Sequence, residues 1–473
     1  IQYDGASNSM RAQRYNANLD GTRGAKQGGL VSLQTLQPVW SAHKALANIT
    51  DPVKQRTYAI AANDQRYIMT AIDPDGDGLI TQATNMKEFT ADTFKGNNSF
   101  LLGNVADSAK VVNYIRGLDY PEFRSRAANI DTTTPDLETW RLGDIASSTP
   151  LIISAPKSGY DVSYSDPTYL AFRNHYKNRR TMIYASANDG MIHAFNGGFY
   201  DAKNKKYSTD QHPLGAELWG YVPYNLLPHL QWLTEHNYPH VAYMDGKLQS
   251  FDVNIFNDDA DHPGGWGTIL VAGMRFGGGP ISVNNKGKQQ TMRSAWVVLD
   301  ITNPDKPPQL IAEITDPDLG FTTTNVDVVK ARVPNQTTGS FANNVSNRWY
   351  LAFGSGPFGK DGASMRTAQN SAISDQTAKL FFFDLKTKQL QKFDTQVANA
   401  FVGGVHSTDW SRDFKDDYLY YGVVAGSVDN PSGQLRRARL TFGNNGLTLT
   451  DTKMLDVADQ AFSSAPFTRI DND

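Results

Sequence analysis

Strand-length apolar runs, each closed by a glycine or aspartate turn, recur along the second half of the chain and restrict the folds open to it. "WGTILVAGMRFGG" (266–278) is an apolar run into a glycine-rich turn, and "SAWVVLDITNP" (294–304) ends at a proline turn. "RWYLAFGSGP" (348–357) and "KLFFFDLKT" (379–387) repeat the two styles, and "DYLYYGVVAGS" and "GQLRRARLTF" close the series. Runs this short, rich in β-branched and aromatic residues and bounded by turn formers, read as buried strands. "TMIYASANDGMIHAFN" (181–196) places Asn188-Asp189-Gly190 between two such runs, which predicts a hairpin. One helix is expected to interrupt: "YNLLPHLQWLTEH" carries Leu226, Leu227, Leu230 and Leu233 on one face. The repeating unit of strand, glycine turn, strand, aspartate turn points to β-propeller blades. A β-sandwich is the alternative, though the strand number is high for one.

The first third has another texture. Residues 1 to about 30 are polar and rich in Gly and Asn, as expected of an extended lead-in. "VWSAHKALANI" and "DSAKVVNYIRG" then place apolar residues at helical spacing. Residues 1–142 therefore read as a mixed, partly helical N-terminal region, and 143–473 as the strand-rich domain.

Composition excludes several classes. With 45 Lys and Arg against 48 Asp and Glu, the formal charge of -3 carries no nucleic-acid footprint. There is no Cys, hence no disulfide, thiolate metal site or Cys nucleophile. No apolar run approaches the roughly 20 residues of a membrane span. The chain starts at Ile1 without a signal peptide, as expected of a processed protein or a fragment.

"DPDGDGLIT" (73–81) sets Asp73, Asp75 and Asp77 at alternate positions with Gly78 at the turn. Calcium takes six to eight oxygens, and such a loop wraps it when carboxylates recur every second residue. The carbonyl of Leu79 and the hydroxyl of Thr81 would complete the set. Thr84 stands where a helix-loop-helix site needs a bidentate Glu, so the loop is incomplete. Asp-Gly pairs are also ordinary turn formers, and a solvated acidic turn is the competing reading.

Taken in order, "RLGDIASSTPLI", "MIYASANDGMIHAFN", "GAELWGYVPYNLLPHL", "WGTILVAGMRFGGGPISV", "WVVLDITNP" and "WYLAFGSGP" resemble the PilY/PilC family of type IV pilus biogenesis factors and tip adhesins. The resemblance covers roughly residue 105 to the end. It implies a mainly β fold, a modified seven-bladed-like β-propeller, on the pilus tip or outer cell surface. It implies a non-enzymatic, calcium-binding role in pilus extension against retraction and in surface adhesion. The partners implied are minor pilins or a tip complex, and a host or abiotic surface ligand. The family's calcium loop, Asp-x-(Asp/Asn)-x-Asp-x-x-x-Asp, matches "TDWSRDFKDDYLYYG". Asp409, Ser411, Asp413 and Asp417 take the side-chain positions and Lys415 the backbone carbonyl. Ser411 departs from the pattern and should weaken affinity, since carboxylate count sets it. "DQAFSSAPFTRIDND" resembles the segment before the family's closing strand, so the last blade is expected to be incomplete.

Other signals point to turns and packing. His236 and His240 stand four apart, but Pro239 breaks the helix a zinc pair would need. His193 falls in an alternating strand, where packing is the ordinary role. "GGGP" (277–280) could cradle an anion in principle. It lacks the Lys and helix start of a phosphate loop, so a tight turn is expected. Ser355 of "GSGP" has no evident base. Asp258-Asp259 and Asp416-Asp417 fit surface loops.

Two other functions compete. "DGMIHAFN" followed by "GAELWGYVP" also resembles the blade repeat of pyrroloquinoline-quinone dehydrogenases. That signature appears once here, at 189–219, rather than on most blades, and the vicinal disulfide of many quinoproteins needs Cys. A lectin-like surface propeller unrelated to pili is the third reading.

Overall fold

The computed structural model describes the chain apart from residues 1, 18–22, 34–38, 63, 97–101, 103–107, 131–135, 202, 205, 286, 333–346, 444–445 and 465–473. The end of the segment expected to precede a closing strand lies outside the described residues.

The fold is mainly β, 43% strand and 14% helix. Three four-stranded antiparallel sheets follow one another along the chain. The first holds Leu248–Asn254, Trp266–Gly273, Trp296–Asp300 and Gln309–Ile314. The second holds Asp327–Arg332, Asn347–Gly354, Lys379–Asp384 and Leu390–Asp394. The third holds Ala400–Thr408, Tyr418–Gly426, Pro431–Gly443 and Gly446–Ala458. Each is a meander of consecutive strands, the connection that short Gly and Asp turns impose.

Ahead of them lies a seven-stranded sheet built on the predicted hairpin, Thr181–Ala187 against Met191–Asp201. Its next strand, Glu217–Val222, pairs in parallel with Ile68–Ala71. Residues of the N-terminal region thus complete this sheet. Where an extended lead-in was expected, Gln2–Asp4, Ser9–Ala17 and Arg23–Ser32 form a small three-stranded antiparallel sheet.

Strand periodicity explains the stacking. Val297 and Leu299 pack toward the seven-stranded sheet, whereas Trp296 and Val298 pack toward the following meander. Leu351 and Phe353 share that second layer, and their neighbours Tyr350 and Ala352 face the next. A strand buried on both faces must be apolar at every position, which is why these segments read as continuous runs.

The expected helix at 224–236 is a 3-10 helix, Tyr224–Thr234, with Pro228 inside it. Pro228 has no N–H to give an α-helical ladder, so the tighter winding is the physical consequence. Leu226, Leu227, Leu230 and Leu233 are buried as the spacing predicts. Among the described residues no helix is long and apolar enough to cross a membrane.

Candidate functional site

Residues 409–417 form the turn between Ala400–Thr408 and Tyr418–Gly426. The turn is closed from both ends. Asp409 accepts backbone N–H bonds from Asp413 at 3.2 Å and Phe414 at 2.9 Å. Asp417 accepts from Trp410 at 2.9 Å and Ser411 at 3.0 Å. Asp413 points outward, taking the Lys415 N–H at 3.0 Å, with Lys415 Nζ 3.5 Å away. Arg412 and Phe414 adopt positive φ of 55° and 70°, so the turn is sharp without glycine.

What holds this turn in place is Phe414 and Asp416. The Phe414 ring is buried and stacks on Tyr164 at 3.9 Å, inside the layer shared by the first two meanders. Its carbonyl accepts the Arg332 N–H at 3.0 Å. Asp416 is fully buried and binds both the backbone N–H and the Nζ of Lys330, at 2.8 and 2.6 Å. The surface-loop reading of Asp416-Asp417 fails for Asp416. Its carboxylate locks the turn to Asp327–Arg332, a partner 86 residues away that local sequence does not reveal. Asp258 and Asp259 are exposed, as expected.

The loop 73–81 is built on a similar plan. Asp73 is buried and accepts the N–H groups of Gly76 and Gly78, both at 2.9 Å. Asp75, Asp77 and Leu79 are exposed, and Thr81 is partly buried. The Ile80 carbonyl accepts the Glu313 N–H at 2.7 Å, which anchors the loop. Gln290 Nε2 also donates to Asp73 at 2.6 Å, so the carboxylate a cation would need first already has three donors.

Both loops offer oxygen donors alone, the set a hard cation takes. Their carboxylates are turned onto backbone N–H groups instead of onto one another. Among the described residues no group of three or more His, Asp or Glu side chains is already disposed to hold a metal.

A second charged feature lies in the seven-stranded sheet. Arg66 binds Glu217 through Nε and Nη2, both at 2.7 Å. His193 Nδ1 meets Glu217 at 2.7 Å, and Nε2 meets Asp189 at 3.0 Å. Burial disfavours the imidazolium, but the Asp189 and Glu217 carboxylates outweigh it and raise His193 to about 9. Arg66 holds the Glu217 carboxyl well below its usual range, against the opposing effect of burial. Arg66 and His193 thus face the Glu217 and Asp189 carboxylates in a largely buried site. Both His193 nitrogens are engaged by carboxylates. A cavity of about 410 Å³ opens beside Asp189, with Asp144, Trp140 and His240 at its edge. His240 bonds Asp144 at 3.0 Å. The signal for this centre was a lone Glu in "AELWGYV" and a lone His in "MIHAF"; Arg66, 151 residues from Glu217, gave none.

The class is therefore a mainly β protein of stacked meanders carrying acidic turns. No known family profile matches the chain. A type IV pilus biogenesis factor PilY1 homologue of Xylella fastidiosa is 30% identical over 220 residues, 45% of this chain and 15% of its own length. Type IV pilus biogenesis factor PilY1 of Pseudomonas aeruginosa UCBPP-PA14 is 26% identical over 339 residues, 69% of this chain and 23% of its own. The chain thus spans less than a quarter of these relatives. The crystal structure of the P. aeruginosa PilY1 C-terminal domain aligns with 61% of this chain and 45% of its own at 20% identity, with a TM-score of 0.36. The sequence relatives carry the name of the family that the motifs resemble: over these stretches the chain is similar to PilY1.

Proposed function

We propose that this chain is a calcium-binding, non-enzymatic part of a type IV pilus biogenesis factor, exposed at the pilus tip or cell surface, where it promotes pilus extension and adhesion. The names of its relatives support the pilus role. The succession of four-stranded meanders sharing apolar layers supports reading them as propeller blades. Minor pilins and a surface ligand are the partners this reading implies.

The observation that carries the calcium assignment is the doubly closed turn 409–417, pinned by Asp416 to Lys330. Asp409, Ser411, Asp413, Asp417 and the Lys415 carbonyl would hold the ion, with Asp413 released from Lys415. The ion would supply positive charge that relieves carboxylate repulsion and orders the turn. Asp73, Asp75, Asp77, Leu79 and Thr81 are the second candidate set, and Gln290 is its competitor.

Calorimetric calcium titration of the wild type beside Asp413→Ala and Asp75→Ala tests this. Loss of a site in Asp413→Ala alone assigns the ion to 409–417. Loss in Asp75→Ala alone moves it to 73–81. No binding by the wild type at millimolar calcium rejects both.

A further inference from the structure

A cavity of about 210 Å³ lies between the first and second meanders, away from both acidic loops. Two glycine turns singled out in the sequence meet there. The "GGGP" turn contributes Gly278 and Pro280, and the chain leaving "GSGP" contributes Phe358 and Lys360. Phe321 and Met365 complete apolar walls, and Arg293 projects from the lead-in to strand Trp296–Asp300. The glycines are fixed by packing: Gly278 has φ 72°, and a Cβ there would stand 2.8 Å from Ser294 Cα.

The charges are one-sided. Arg293 and Lys360 line the cavity, and no carboxylate does. Among the described residues the Arg293 guanidinium has neither a hydrogen bond nor an ion pair, although the residue is partly buried. The carboxylates whose field reaches it, Asp316 and Asp318, are held instead by Lys392 at 3.0 and 2.7 Å. A guanidinium that has lost part of its water and gained no partner is incompletely compensated, and an anion would complete it. The aromatic and thioether walls select an anion with an apolar body over a bare inorganic ion.

We infer that this cavity binds a carboxylate carried on a small apolar body, either a free organic acid or the carboxyl end of an apolar peptide. Arg293 receives the carboxylate, Lys360 adds long-range attraction, and Phe321, Phe358 and Met365 enclose the body.

The test is calorimetric titration of the protein with N-acetylphenylalanine, its carboxamide, and a short peptide ending in free Phe. The acid is expected to bind about ten- to a hundredfold more tightly than the amide, as a charged hydrogen bond should give. Arg293→Gln should abolish that preference, and Lys360→Gln should reduce it with the thermal midpoint unchanged. A peptide that binds more tightly than the acid assigns a chain end as the source; equal binding assigns a free acid. Equal affinity for acid and amide overturns the inference. So does wild-type acid binding by Arg293→Gln, or no saturable binding of acid or peptide up to about 10 mM.

Discussion

Arg66 and Glu217 face each other through two hydrogen bonds of 2.7 Å, with side chains 0% and 1% exposed. The pair joins residues adjoining two parallel-paired strands that are far apart in the chain. Neither member can lose the other cheaply. Glu217→Gln leaves a buried guanidinium and an imidazolium short of countercharge and should cost about 3–5 kcal/mol of stability. A chemical denaturation midpoint unchanged from the wild type would contradict this.

His193 makes the same centre pH-sensitive. Its folded pKa, about 9, lies above its ordinary 6.5. The stabilisation is therefore complete below about pH 6.5 and disappears as pH rises through 9. Over that window the wild type should lose about 3 kcal/mol. His193→Gln should start less stable and show a flatter profile across the same range. Thermal midpoints taken between pH 6 and 10 read both.

Gly143 is held by the hairpin turn. It donates to Asp189 at 2.9 Å, and a Cβ on it would stand 2.2 Å from the Asp189 backbone nitrogen. Gly143→Ala should therefore destabilise by about 1–3 kcal/mol. Unfolding curves measure that loss, and an alanine variant as stable as the wild type would show that the two turns can part freely.

Lys330→Met should strand the buried Asp416 carboxylate and free the turn beside it. Trypsin reports this directly, because Arg412 and Lys415 lie in the turn. Cleavage there should be faster in Lys330→Met than in the wild type, and calcium should slow it in the wild type.

The sequence shows most clearly what is local. Asn188-Asp189-Gly190 marked its hairpin, and the apolar runs marked strands, because turn chemistry and side-chain alternation act over a few residues. The acidic loops were visible for the same reason. Long-range partners were not. Nothing near Asp416 announces Lys330, and nothing near Asp73 announces Gln290, 217 residues on. Ile68–Ala71 gave no sign that it would pair with Glu217–Val222, because parallel strands are joined by a crossover, here far longer than any local window. Arg293 was equally silent, since an unpartnered cation is defined by what fails to approach it.

The apolar layers have a mechanical meaning. Each is shared by sheets adjacent in the chain, so cohesion passes from one neighbour to the next. A load drawn along such a row meets one interface at a time. The chain would yield in steps, each sparing the sheets behind it, and would lengthen under tension before it failed.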